Sequence, residues 1–580
     1  MQRQDSFKMG MAMSLGLVIA YCGTVAAATP TTGPDSKAQM TTPDYNSTAK
    51  GVLSGTVRDA SGEVIPGAMI TVTDDDRGLG ESVFSNDTGM FTLAADLVSG
   101  QLELRVRKPY FADYKQSVNF NDSGKANLDV RLRPLKTDQE ISDSLPAIAH
   151  FANLPFDKEG KWSREDFQRD CLSCHQLGNA WTRIPRPPEV WMPTMERMYS
   201  YMGNTNVEDM KYRSQMMTDG FTGEPTQHRP KFDSAPELAT AKIYQYRLDH
   251  SVVPHDAVVY QKTNTVYTVD QGTDDMHITS LETGETTRVK APAAGMPQGG
   301  MFTLLNIAGG YGKTTPRGIH SLSLGHDGKF YTTDAFAGGI GVFDPETNTW
   351  EEPVDLVKAL YPHTIRTGKE GNLWFTVTFS EQVGKLNPKT REVTLIDLAP
   401  AKLAAAFGGS IPYGIAVNPT DNGIWFTRLN GDQVGHVDPK TLEVILHDSP
   451  VSGPRRLRFD ESGTLWLAGY AEGKIAKIDP QDFSSKVYDI PQILEGHPPG
   501  PYALGVHPDT QEIWVNETMT DQVYRFIPNE ERWIAYPLPM RGSYTRDFSF
   551  TADGKACTTN SPLPLASVEG VSGEVICIKP

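Results

Sequence analysis

The rhythm of apolar and polar positions changes twice along this chain. Between residues 50 and 134, short β-branched runs alternate with polar positions and break at Asp-Gly-type turns, as in GVLSGTVRDASGEVIPGAMITVTDDD. A period of two with frequent turn residues predicts an all-β sandwich. From 138 to 235, helix formers, methionines and the aromatic landmarks Trp162, Trp181, Trp191 and Tyr199 replace the alternation, which predicts a small α-helical domain. After 240 one unit recurs: strand, Asp/Asn-Gly-type turn, strand carrying Leu/Ile-Trp, strand, Asp/Asn-Pro turn, strand. The stretches starting at Pro362, Pro412 and Pro454 show it most plainly. Four-strand units recurring in this way are the pattern of propeller blades.

Aligning the starts of the first strands picks out His255, His320, His363, Tyr413, Arg455, Tyr502 and Arg546, hence seven blades over 241–580. The last unit supplies only three strands, and AKIYQYRL at 241–248 is expected to complete it and close the ring, removing exposed edges. The fold expected is therefore mainly β and multidomain.

Composition narrows the function. The 580 residues carry a net charge of −17 without a dense Lys/Arg stripe, which disfavours nucleic-acid binding. Arg3 and Lys8, the apolar run Met9 to Tyr21 and the small residues Ala26-Ala27-Ala28 read as a Sec-type export signal over 1–28. A lipoprotein site at Cys22 is the alternative, with Tyr21 bulky where a small residue is expected. Residues 29–49, rich in Thr, Pro, Ser and Ala, read as a disordered linker. No segment is long and apolar enough to span a membrane, and the periplasm is the expected location. In such an oxidising compartment Cys557 and Cys577, both in the last strands, are expected to form a disulfide, with buried free thiols as the alternative.

The segment CLSCHQLGNAW, Cys171 to Trp181, carries the most specific chemistry. A thioredoxin-type pair would need a βαβ context, and a structural zinc site a second ligand pair; neither is near. A histidine directly after the second cysteine instead suits covalent haem, with two thiols for the vinyl groups and His175 for the iron. Zinc or a plain disulfide remains the alternative.

Three resemblances follow from quoted motifs. Gly-x-Val-x-Asp…Gly-x-x-Ile-Pro-Gly-Ala at Gly55 to Ala68 resembles carboxypeptidase regulatory-like domains, which implies a binding or spacer module over 50–134. Cys171, Cys174 and His175 in their helical surroundings resemble class I cytochrome c domains, which implies a haem domain over 138–235. The same resemblance implies His175 as proximal ligand and a distal methionine, for which Met192, Met195, Met198, Met202, Met210, Met216 and Met217 are available. Met198, seven residues after Trp191 in a W…RM pattern, is the expected one, and His228 competes with it. The P-[HY]-x-I starts at His363 and Tyr413 and the LWFT/IWFT runs at Leu373 and Ile424 resemble the streptogramin (virginiamycin B) lyases. That resemblance implies a channel site for magnesium or another divalent cation, with His320 or His363 as acid/base and Asp334 where one metal-binding glutamate belongs. The family's other glutamate falls here on Gly318 or Tyr361.

If the second strand returns to the mouth where the first began, His255 faces Asp270, His320 faces Asp334 and Tyr502 faces Glu517. Such a cluster could bind a cation or supply acid/base groups. The inserted loop between the first two blades could serve as a lid or docking loop. Its Gly312-Lys313-Thr314 lacks the glycine a phosphate loop needs, since Ile307 stands in that place. The expected function is a periplasmic haem protein transferring electrons, with a redox partner protein, a small-molecule substrate or both at the propeller. The alternative is a metal-assisted lyase or binding scaffold with an accessory haem.

Overall fold

A computed structural model describes residues 51–120, 125–157, 163–201, 206–293, 316–357, 359–401, 409–564, 569 and 572–580. The expected export signal, linker, Cys22, Met202 and the Gly312-Lys313-Thr314 loop lie outside the described residues.

Seven antiparallel sheets, each built on an inner strand, form the blades. The inner strands are Pro254–Tyr260, Ile319–Leu324, Pro362–Thr367, Pro412–Val417, Pro454–Phe459, Pro501–Val506 and Thr545–Phe550. Each neighbours the next, and the last neighbours the first, so the ring is closed. The Asp/Asn-Pro turns work as the motif requires. Asn387 and Asp438 accept hydrogen bonds from the amides two and three residues on, tightening the hairpin between third and fourth strands.

The sandwich strands are β1 (Val52–Asp59), β2 (Met69–Asp74), β3 (Leu79–Phe84), β4 (Met90–Ala94), β5 (Gln101–Arg107), β6 (Tyr114–Asn119) and β7 (Lys125–Leu132). They form one sheet of order β4-β1-β7 and a second of order β3-β2-β5-β6. Then β8 (Lys242–Leu248) does two jobs. It is the missing fourth strand of blade seven, paired with Gly573–Lys579, and its other edge pairs with β3. The sandwich and the last blade therefore share one eight-stranded sheet.

The helical segment departs from expectation. Five helices are described: α1 (Asp138–Ser144), α2 (Ala147–Phe151), α3 (Arg164–Cys171), α4 (Pro188–Tyr201) and α5 (Val207–Gly220). They do not make a separate cytochrome c domain. Phe167, Leu172, Trp191, Met195 and Met217 share one core with Ile411, Tyr413, Tyr470 and Met519 of the propeller. Helices of 5 to 14 residues are too short to enclose a core of their own, and the propeller mouth supplies the missing wall. The multidomain description is corrected to a mainly β chain whose helical layer is built onto the propeller.

Candidate functional site

The site begins with a slip in each blade. Between first and second strands the ladder jumps by one residue near the mouth, so that two inner-strand residues oppose one. In blade three Pro362 pairs with Val377 but Ile365 with Phe375, leaving His363 and Thr364 bulged. The threonine of the Trp-Phe-Thr run fills the bulge. Thr376 Oγ1 accepts from the Thr364 amide (3.2 Å) and donates to the Tyr413 carbonyl of the next blade (2.7 Å). Thr333 and Thr427 repeat the clamp, donating to the carbonyls of His363 and Arg455.

The clamped residues form a buried ring at one mouth of the channel. His255, His320 and His363 pack in sequence with tilted rings at 3.6 and 4.1 Å between centroids, and His363 packs on Tyr413 at 4.0 Å. Arg455 lies over the Tyr413, Tyr470 and Tyr502 rings at 4.7, 4.1 and 3.9 Å. Arg546 reaches the Tyr502 hydroxyl at 3.0 Å. A chain of hydrogen bonds crosses the ring. Tyr413 donates to Tyr502 (2.9 Å), Tyr502 to His255 Nε2 (3.0 Å), and His255 Nδ1 to Asp256 (2.9 Å). Asp256 is itself held by both arms of Arg456 at 2.8 and 3.0 Å.

Burial sets the charge states. It pushes His320 down to about 3, with Arg456 and Arg546 adding to the effect and Asp256 opposing it. Burial likewise holds His255 and His363 well below the usual imidazole value, so all three are neutral at pH 7. Burial would raise the Tyr502 phenol, but Arg546, Arg455 and Arg456 outweigh it and hold the group below its ordinary value.

The Cys-x-x-Cys-His segment is mounted on this ring. The turn after α3 offers its free carbonyls, and the propeller supplies donors: Tyr470 and Tyr544 bond Leu172 O, Arg455 bonds Ser173 O (2.9 Å) and Arg546 bonds Cys174 O (3.2 Å). Two cations at a helix C-terminus also suit its dipole. Gln168 and Gln176 anchor the flanks to Pro499 O (3.2 Å) and Ser543 O (2.6 Å).

Two cavities meet at this segment. One of about 360 Å³ opens beside Cys171, Cys174 and His175, walled by Trp191, Met195, Met198, Tyr199 and Met217. The other, of about 520 Å³, lies between the segment and the ring. Cys174, His175, Trp181 and Met198 line both. Cys171 and Cys174 are free thiols. Burial pushes the Cys171 thiol up to about 12, while Arg213, donating to its sulfur at 3.1 Å, works the other way. His175 Nδ1 donates to the Gln176 carbonyl at 2.8 Å, which leaves Nε2 as the unprotonated nitrogen.

The expected site residues thus separate. Cys171, Cys174, His175 and Met198 come together, and His320 and His363 stand across the second cavity from them. Asp334 does not face His320: its strand partner is Ile319, because the bulge displaces the register assumed from the sequence. Asp334 is bound by Arg317 and Thr332 and lines neither cavity. Asp270 and Glu517 are likewise spent on backbone amides, of Val252 and Val253 in the first case and of Gly500 and Met519 in the second. His228 packs against His497 and lines neither cavity. Among the described residues no three His, Cys, Asp or Glu side chains are grouped for a metal ion. Cys557 and Cys577 are disulfide-bonded. Sequence reasoning missed Asp256, Tyr470 and Tyr544. Asp256 had a signal, since it directly follows a ring histidine.

Fold and site together define a seven-bladed propeller with a His/Tyr/Arg ring, capped by a segment bearing two thiols and an imidazole. The carboxypeptidase regulatory-like domain family matches residues 52–133. No curated protein matches the chain. Among solved structures it is similar to virginiamycin B lyase from Staphylococcus aureus, with 17% identity over 59% of this chain and 99% of that one and a TM-score of 0.46. It is also similar to a streptogramin B lyase, with 18% identity over 58% and 98% and a TM-score of 0.47.

Proposed function

We propose that this protein is a redox protein whose Cys171 and Cys174 would hold a porphyrin covalently and whose His175 would ligate its iron, next to a channel that receives a small molecule. The carrying observation is the convergence of two free thiols and one imidazole, its Nε2 unprotonated, on cavities that also reach the ring. A second observation fits a group bound here. The buried Trp191 Nε1 and Tyr199 hydroxyl have no hydrogen-bond partner among the described residues, and both residues line the first cavity. Met195 and Met198 offer a thioether there, and Met198 remains the proposed distal ligand.

When bound, the iron porphyrin supplies one-electron chemistry. The chain does the rest. Gln176 O fixes the His175 ring and its tautomer. Arg455, Arg546, Tyr470 and Tyr544 hold the segment in place, and the Asp256–His255–Tyr502–Tyr413 chain can move a proton at the Tyr502 oxygen. To test the reading, the exported chain is produced in cells competent for cytochrome maturation, denatured, and measured for absorption and mass. Wild type should keep a porphyrin through denaturation and the Cys171→Ser/Cys174→Ser variant should not. A colourless wild type overturns it.

The hydrogen-bonded chain also favours a second reading, proton-transfer catalysis of elimination without redox change. Quinupristin, present in one structure of the Staphylococcus aureus lyase, is the substrate to try. Turnover that persists in the cysteine variant and vanishes in His255→Asn supports this reading.

A further inference from the structure

The charges around the ring do not balance. Arg455 and Arg546 are buried, at 0% and 3% exposure, and line the second cavity. Arg455 finds a backbone carbonyl and the Tyr413 hydroxyl, while its Nε and Nη1 have no hydrogen-bond partner among the described residues. Arg546 finds a serine, a tyrosine and a carbonyl. Among the described residues neither meets a carboxylate. The nearby carboxylates, Asp256 and Asp547, are taken by Arg456, Arg458 and Arg366, so the next layer holds no spare negative charge. A buried cation without a counter-charge carries a large desolvation penalty unless a ligand brings one. In an acidic chain this cationic pocket is a local exception.

Another part of the lining is apolar, and two of its residues are strained. Phe336, Tyr361, Phe379, Ile411 and Leu429 line it. Tyr361 and Ile411 have φ of 63° and 55°, and the corresponding positions in two other blades, Gly318 and Gly453, are glycines with φ of 64° and 63°. A bulky or β-branched residue rarely adopts the left-handed region, and where it does the strain tends to persist at functional sites. Here the strain places an aromatic and a branched side chain on the cavity wall.

We propose that the second cavity binds a small organic carboxylate, its anionic end at the Arg455–Arg546 pair and its apolar body against Tyr361, Phe336 and Ile411. This deepens the redox reading by naming the class of small molecule, and rests on that reading only for what is done to the ligand. The carboxylate could instead belong to the porphyrin itself, so the test separates the two sources. Benzoate and its neutral analogue benzamide are titrated by calorimetry into the purified full-length protein, whose porphyrin content is read beforehand by absorption. Benzoate should bind at least tenfold more tightly than benzamide, and Arg546→Gln should lower benzoate affinity tenfold or more while leaving benzamide unchanged. Because the comparison of two ligands is made on unaltered protein, it stands even if the variant fails to fold. Equal affinities, or no benzoate binding, overturn the proposal; if porphyrin is present in that case, the redox reading survives and the arginines serve the cofactor's own carboxylates. Benzoate binding to a colourless protein sustains the carboxylate site and removes the redox reading.

Discussion

Thr376 shows how a single hydroxyl can position a site residue at a distance. It accepts from the bulge of its own blade and donates to the carbonyl of Tyr413 in the next, fixing two ring positions. Thr376→Val keeps the shape but leaves a buried amide and a buried carbonyl unpaired, and should lower unfolding free energy by about 1–3 kcal/mol in denaturant titration. The ring residues themselves were legible, because they recur at the start of each inner strand. Their partners were not. A bulge leaves no mark on the alternation of apolar residues, yet it moved Asp334 from His320 to Ile319. The ring also predicts a pH dependence. His320 in the folded chain binds its proton only near pH 3, whereas an unfolded histidine does so near 6.5. Below about 6.5 the unfolded state therefore takes up a proton that the folded state refuses. The contribution of His320 is full above that pH and is lost at about 1.4 kcal/mol per unit as pH drops toward 3. Unfolding curves for wild type and His320→Asn between pH 7 and 4 should show the shallower decline in the variant.

At the scale of elements, the helices were legible as helices and their setting was not. Period and caps mark a helix from its own residues: Ser163 caps α3 by accepting from the Asp166 amide, and Asn206 caps α5 in the same way. A pattern shows which face is apolar but not what covers it. Here the covering surface is contributed by residues more than two hundred positions downstream, such as Tyr470 and Met519. Excised residues 138–235 should consequently show no cooperative melting by circular dichroism, while the same segment in the full chain resists proteolysis. A compact, cooperatively folded fragment would contradict the shared core. The disulfide acts at this scale too. Cys557 and Cys577 face each other across the last two strands and close a loop of 20 residues, so reduction should cost about 3 kcal/mol of stability in a chain-entropy account.

For the whole molecule, the decisive feature is that β8 has no free edge. One side completes blade seven through Gly573–Lys579, and the other is covered by β3 of the sandwich. Lys242 on β8 pairs with the fully buried Glu81 of β3 at 2.5 Å, and Glu81 also accepts from the amides of Asp96, Leu97 and Val98. Tyr244, Tyr246 and Leu248 share a core with sandwich residues such as Ile70 and Leu104 and with Val259 and Val266 of blade one. The propeller and the sandwich were each readable from their strand patterns, but this junction was not, since nothing in an edge strand's sequence names its neighbour. Removing residues 50–134 would bare the β8 edge, strip apolar cover from two blades and leave Lys242 without Glu81. An exposed flat edge invites strand pairing between molecules. The shortened chain should then melt lower than the full chain and associate with rising concentration, as light scattering and scanning calorimetry would record. The full chain should melt in one transition, because no boundary between sandwich and propeller is free of shared core. Two well-separated transitions in the full chain, with the shortened one remaining monomeric at an unchanged Tm, would show that the continuous sheet does not couple the two parts.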